Sequence, residues 1–224
     1  MIYPFNMIRP IARACLNRDF YWLRRSFLWP EQSYKAGMLR RVQEQYGNKI
    51  LFETGTYRGD TSFALRKHFD HIYTVEVFPP LYEAARQRLA PYANITCVLG
   101  TGDETIRKIV PTLEKPTIFW LDSHYSGAGT GMSDEPMPIL KELSELAKAY
   151  KPGIGHIVVI DDISSFARVN GNSSLSEIMA SLESIDPSWS FFFDYDMLFA
   201  LPPGKADSGA HVFWREIIYH FAVR

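Results

Sequence analysis

The chain has 224 residues, enough for one substantial α/β domain but not for two. Its formal charge of −1 argues against general affinity for nucleic acid, and no apolar run approaches the roughly 18 residues of a membrane span. The start, Met1-Ile-Tyr-Pro-Phe-Asn6, lacks a charged segment followed by an apolar core, and the two cysteines, Cys15 and Cys97, give no disulfide framework, so no signal peptide is expected and a cytoplasmic setting is.

Residues 1–49 are basic, with Arg9, Arg13, Arg18, Arg24, Arg25, Lys35, Arg40, Arg41 and Lys49 against Asp19, Glu31 and Glu44. Phe20, Tyr21, Trp22, Phe27 and Trp29 lie among the arginines, and Pro30 divides the segment into two helical pieces. Lone solvated helices have no use for so many large apolar side chains, so the segment is expected to pack as a cap on the domain that follows. Its second piece, about 31–46, should cover the sheet near the first strand.

From residue 50 strand patterns alternate with helical ones, which predicts a parallel sheet with helices on both faces. Strands are expected at 50–53, 71–76, 95–99, 117–122 and 156–161, with helices at about 61–68, 80–90, 103–110 and 136–150. A helix near 175–185 then leads to Trp189–Tyr195 and Met197–Leu201, close enough to pair as an antiparallel hairpin. This gives a cap at 1–49, a domain at 50–202 and an extension at 203–224 packed on the same domain. The aromatic tail 209–224 is open as an extra strand, a helix or the contact of a homo-oligomer. Cys97 and the run Phe191–Phe193 read as buried strand residues.

The densest signal is Lys49-Ile-Leu-Phe-Glu-Thr-Gly-Thr-Tyr-Arg-Gly-Asp-Thr61. An apolar strand ends in an acid, two glycines follow four apart, and a helix starts. Glu76 closes the next strand, where an acid accepts hydrogen bonds from a ribose diol. A dinucleotide fingerprint needs a glycine where Tyr57 stands, so a pyrophosphate would meet a bulky side chain and the charge of Glu53. Neither feature opposes S-adenosyl-L-methionine, which has no phosphate and carries an ammonium and a sulfonium. No Gly-Lys-Ser/Thr follows, which excludes a Walker loop.

Glu53-x-Gly55-x-x-x-Gly59, then Glu76, then Gly102-Asp103 after a third strand, resembles the class I S-adenosylmethionine-dependent methyltransferases over about residues 50 to 202. The resemblance implies a Rossmann-like, seven-stranded, mostly parallel sheet with a terminal antiparallel hairpin. It also implies that Glu53 and Gly55 flank the methionine part, Glu76 holds the ribose and Asp103 faces the adenine amino group. Thr54, Tyr57, Gly59, Thr61, Val77, Gly102 and Asp122 complete the expected cofactor set.

Phe119-Trp-Leu-Asp122-Ser-His124 ends strand four and Val159-Ile-Asp161-Asp162 ends strand five. Strands one, four and five should be neighbours, so three carboxylates and an imidazole converge beside the cofactor. Carboxylate oxygens suit a hard cation such as Mg2+. Asp122, Asp161 and Asp162 match the metal acids of metal-dependent O-methyltransferases, including the macrolide-sugar type. Strand-end acids also cap helices, and Asp162 precedes Ile163-Ser-Ser in a way that permits this. His124, two residues past Asp122, is the expected catalytic base, with Asp122 beside it; it stays open as a metal ligand or a plain loop histidine. The glycine-rich loop 124–135 starts at this site and has the length of a lid or binding loop. His68, His71, His156, His211 and His220 read as structural or solvated.

The expected reaction is metal-assisted O-methylation of a small hydroxylated acceptor; a sugar or glycan intermediate follows from the resemblance alone. Its rivals are a metal-independent N- or carboxyl-methyltransferase, a nicotinamide-dependent oxidoreductase, and a non-catalytic binding module. The first piece of the cap is expected to border the acceptor pocket.

Overall fold

Short, mostly apolar runs closed by an acid or a glycine suit the strands of a parallel sheet, and five of them lie between helical stretches. A computed structural model describes residues 32–122, 138–166, 175–194 and 196–203. In chain order it contains α1 (Gln32–Tyr46), β1 (Ile50–Thr54), α2 (Asp60–Leu65), β2 (His71–Glu76), α3 (Pro79–Leu89), β3 (Ile95–Leu99) and α4 (Gly102–Ile109). β4 (Thr117–Leu121), α5 (Ile139–Ala149), β5 (Ile157–Ile160), α6 (Leu175–Ile185), β6 (Ser190–Asp194) and β7 (Met197–Leu201) follow. The strands form one seven-stranded sheet in the order β3-β2-β1-β4-β5-β7-β6. β1 to β5 pair in parallel, and β7 runs antiparallel to both β5 and β6. The expected alternation and terminal hairpin are both present.

Side chains alternate across the sheet and feed two cores. Ile50 and Phe52 of β1, with Phe119 and Leu121 of β4, pack against Ile106 of α4, Leu143 and Leu146 of α5, and Ile178 and Leu182 of α6. On the opposite face Leu51, Ile118 and Trp120 pack against Leu65 of α2 and against Ala36, Leu39 and Val42 of α1. Each large apolar side chain buried in this way contributes roughly 1.5–3 kcal/mol relative to exposure. Residues 32–46 thus cover the sheet beside strand one, as expected of the second piece of the cap. The first piece lies outside the described residues, as do the loop 123–137 and the tail.

Two readings change at the sheet edges. β3 is an edge strand, so Cys97 is only half-buried and Leu99 is 49% exposed. β6 is the other edge, so Phe191–Phe193 are half-buried as well, with Phe192 stacked on Phe199 at a ring distance of 4.3 Å. A row of apolar residues marks a strand without showing whether a neighbour will cover both its sides.

His156 is structural. It is buried, its Nδ1 accepts the Thr117 backbone N–H at 3.3 Å, and its ring packs against Phe119 and Tyr150. Burial, helped by nearby Lys151, pushes its pKa down to about 4, so the ring is neutral near pH 7.

Candidate functional site

Strand order reverses at β1, whose neighbours β2 and β4 lead to opposite halves of the sheet. A crevice opens outside the carboxyl ends of the strands at such a point. β1 runs into a tight turn there, with Gly55 at φ 87°, Tyr57 at φ 49° and Gly59 at φ 74°. The Gly55 and Thr56 N–H groups both donate to the Val75 carbonyl at 3.0 Å, which ties the turn to β2. Tyr57 holds a left-handed backbone that side chains seldom adopt, and its side chain is 46% exposed. A Cβ on Gly59 would lie 2.8 Å from Leu89 Cδ1, so this glycine lets α3 approach the turn.

Glu76, at the end of β2, is 6% exposed. Its Oε2 accepts the Tyr57 N–H at 2.8 Å and its Oε1 accepts the Phe78 N–H at 3.0 Å. A carboxylate oxygen has two lone pairs, so each retains one for a ligand hydroxyl. Glu53 is drawn deeper. Its Oε2 accepts from Ser62 Oγ at 2.6 Å and Thr74 Oγ1 at 2.7 Å, bracing α2 and β2 against the end of β1. Burial outweighs these bonds and pushes its pKa up to about 7.

Val77, Gly102 and Asp103 belong to the expected cofactor set, with Asp103 the one expected to face the adenine. Val77 and Asp103 are half-buried, and Asp103 stands in the first turn of α4. Gly102 is buried, and a Cβ there would fall 1.9 Å from Glu142 Oε1 and 3.0 Å from Thr54 Cγ2. This glycine is therefore demanded by the packing of α5 and β1 around the start of α4. Gly102→Ala is expected to destabilise the fold by about 1–3 kcal/mol, read as a lowered midpoint in urea unfolding; an unchanged midpoint would show that Glu142 swings aside freely.

Glu142 was not singled out from the sequence. It is fully buried on α5, and Thr54 Oγ1 donates to its Oε2 over a long 3.4 Å. The available signal was an acid on the apolar face formed by Ile139, Leu143 and Leu146. Thr54 also links two halves of the site, because the Asp122 N–H donates to its carbonyl at 3.1 Å and to its Oγ1 at 3.3 Å. Thr61 is buried in α2 and accepts from Gln32 Nε2 of α1.

Asp122, Asp161 and Asp162 are brought together, each offering an oxygen within 4.8 Å of the others. Asp162 has φ 50°, an uncommon left-handed backbone that turns the chain at the end of β5. It precedes the short 3-10 turn Ile163–Ser165 without making a side-chain cap bond. Asp196 satisfies that turn instead, accepting from the Ser164 N–H at 2.6 Å and from Ser164 Oγ at 2.7 Å. Capping therefore does not account for Asp162.

A residue not singled out as a site residue completes the cluster. Lys35 Nζ, from the N-terminal half of α1, bonds Asp161 Oδ2 and lies 3.4 Å from Asp162 Oδ1. Burial lowers the lysine pKa, but Asp161, Asp162 and Asp122 outweigh it and raise the pKa overall, so the amine is an ammonium. Burial, with Asp122 and Asp162, pushes the Asp161 carboxyl up, and Lys35 pulls it back toward the charged form. Nothing in the sequence linked Lys35 to acids 126 and 127 positions away. The expected base, His124, lies outside the described residues.

The donor set is all oxygen, as a hard divalent cation requires. Each acid offers an oxygen within 4.8 Å of the others, so the residues present suit such an ion. The ammonium of Lys35 already holds one oxygen of each of Asp161 and Asp162.

No family model and no curated protein matches the chain. Solved structures do. A Staphylococcus aureus protein described as a caffeoyl-CoA O-methyltransferase is 15% identical, with a TM-score of 0.54 over 75% of this chain and 83% of that one. An O-methyltransferase of Bacillus cereus in complex with SAH is 14% identical, with a TM-score of 0.53 over 75% and 80%. The N-methyltransferase NodS of Bradyrhizobium japonicum is 13% identical, with a TM-score of 0.50 over 78% and 98%. The chain shares the fold of these methyltransferases.

Proposed function

We propose that this protein is an S-adenosylmethionine-dependent methyltransferase acting on a hydroxyl of a small polyhydroxylated acceptor, with a divalent cation such as Mg2+ assisting. The observation that carries the cofactor assignment is Glu76, whose two oxygens are fixed by backbone N–H groups and still have capacity for a ribose diol. Tyr57, exposed at the turn where a pyrophosphate would need open backbone, and the antiparallel β6–β7 pair both favour this cofactor over a nicotinamide dinucleotide.

S-adenosylmethionine brings an already activated methyl group, so the protein's work is positioning. Glu76 holds the ribose, Asp103 meets the adenine, and Glu53 with the Gly55 turn forms a negative wall beside the methionine part. Asp122, Asp161 and Asp162 would hold the divalent cation, which supplies a lowered pKa to an acceptor hydroxyl. His124 takes the proton in this reading.

A second reading, metal-independent transfer to nitrogen or to a carboxylate, is favoured by Lys35, which already places a positive charge among the acids. The N-methyltransferase among the fold neighbours shows the same fold with a different acceptor atom.

Thermal-shift measurement with S-adenosylhomocysteine, NAD+ and Mg2+ tests the assignment. At a ligand concentration 100 times Kd, binding contributes about 2.7 kcal/mol, a rise in Tm on the order of 5–10 °C for a domain of this size. That rise is expected with S-adenosylhomocysteine and not with NAD+. Methyl transfer that survives excess EDTA would move the reaction to the metal-independent reading.

A further inference from the structure

The acidic site carries a cation of its own, and its placement is set by the fold. α1 is anchored on the sheet through Ala36, Leu39 and Val42. Its C-terminal end lies near the β5 start, where Asn48 Nδ2 donates to the Gly155 carbonyl at 3.1 Å, and its N-terminal end reaches Thr61 and Asp161. Lys35 therefore projects into the carboxyl-end crevice from a packed helix. Its side chain is only 12% exposed.

Among the described residues one ammonium, that of Lys35, faces the three acids there. Asp161 is 2% exposed, and although its Oδ2 is held by Lys35, its Oδ1 is buried with no hydrogen-bond partner among the described residues. A buried carboxylate oxygen left in that state marks unused acceptor capacity inside the cluster. A divalent ion at these acids would draw on the same two carboxylates that Lys35 holds, and two cations so close repel each other strongly.

We propose that Lys35 is a tethered counter-cation of the Asp122–Asp161–Asp162 site, so that its ammonium and a divalent metal ion compete for Asp161 and Asp162. The inference rests on the proposed reading of the three acids as a cation site. Two states of the site follow. In one, Lys35 lies among the acids and holds the N-terminal half of α1 against β5. In the other, the metal is bound and Lys35 is released toward solvent. Metal affinity is reduced by the fraction of molecules in the first state.

Mn2+ binding to the full chain, measured by calorimetry with S-adenosylhomocysteine present, tests the competition. Lys35→Met should bind Mn2+ at least about tenfold more tightly than the parent protein, because the competing charge is gone, while Lys35→Arg keeps a cation and should stay weak. Equal Mn2+ affinity in the parent and Lys35→Met, whether strong or undetectable, overturns the proposal. If Lys35→Met does not fold, amine labelling of the parent protein followed by mass spectrometry replaces it. Labelling of Lys35 should then rise as Mn2+ is added, and labelling unchanged up to millimolar Mn2+ overturns the proposal equally. Failure of the parent protein to bind S-adenosylhomocysteine sinks the methyltransferase reading instead, and the Mn2+ comparison made without that ligand still decides the role of Lys35.

Discussion

Glu76→Ala is expected to weaken S-adenosylhomocysteine binding by at least about tenfold, and by about a hundredfold where both ribose hydroxyls lose their partner. Hydrogen bonds to a charged group contribute roughly 1.5–3 kcal/mol each, and every 1.4 kcal/mol is a factor of ten in Kd. The substitution also removes the acceptor of the Tyr57 and Phe78 N–H groups, so some of the loss would come from a slackened turn. Glu76→Gln separates the two effects. Its amide oxygen can still accept from one of these N–H groups, but it has no charge to offer the diol. Calorimetry should rank the parent protein above Glu76→Gln and Glu76→Ala last, with urea unfolding run beside it to measure the cost to the turn. Equal affinity in all three would remove Glu76 from the ribose site.

Much of the geometry on which the proposed cofactor site rests was legible because its parts are local. Glu53, Gly55 and Gly59 lie within seven residues of one another, and Glu76 closes the next strand, so spacing alone places them on one turn. β2 and β1 then pair in parallel, with Thr54 opposite Val75, which brings Glu76 level with that turn. The acid triad was legible for a related reason, since β4 and β5 are neighbours and end together.

What was not legible depends on contacts between distant elements. Lys35 belongs to a helix whose apolar face predicts cover for the sheet, and only the tertiary angle of α1 reveals that the lysine reaches β5. Asp196 caps the turn that Asp162 precedes, from a hairpin more than 30 residues later. Gly102 carries a signature glycine of the cofactor motif, yet the buried Glu142 is what excludes a side chain there. In each case the sequence named the element correctly and the function of a residue depended on what packed against it.

The acid at the end of β1 leads to the last expected result. Glu53 titrates near 7 in the folded chain against about 4.5 when unfolded, because burial costs more than the Ser62 and Thr74 hydrogen bonds return. The folded state therefore binds the extra proton between these values. The stabilisation is full below about pH 4.5 and is lost as pH rises through 7, a change of about 3 kcal/mol. His156 works in the opposite sense. Its folded pKa is depressed to about 4, so stability is lost as pH falls below 6.5. Over pH 4.5–6.5 the two slopes oppose each other, so the parent protein alone isolates neither group. The difference between Glu53→Gln and the parent isolates the carboxyl, because the amide keeps an oxygen for Ser62 and Thr74 and does not ionise. Urea unfolding at pH 4.5 and pH 8 should show the variant gaining about 3 kcal/mol relative to the parent between the two conditions. A pH-independent difference would mean that Glu53 is ionised throughout. The same group connects stability to binding: the ligand's α-ammonium, placed beside Glu53, would favour the carboxylate, so S-adenosylhomocysteine binding near pH 7 should release part of a proton. Calorimetry in two buffers of different ionisation enthalpy reads that release directly. Its absence, with the pH-dependent stability intact, would place Glu53 in the wall of the fold and away from the ligand's charge.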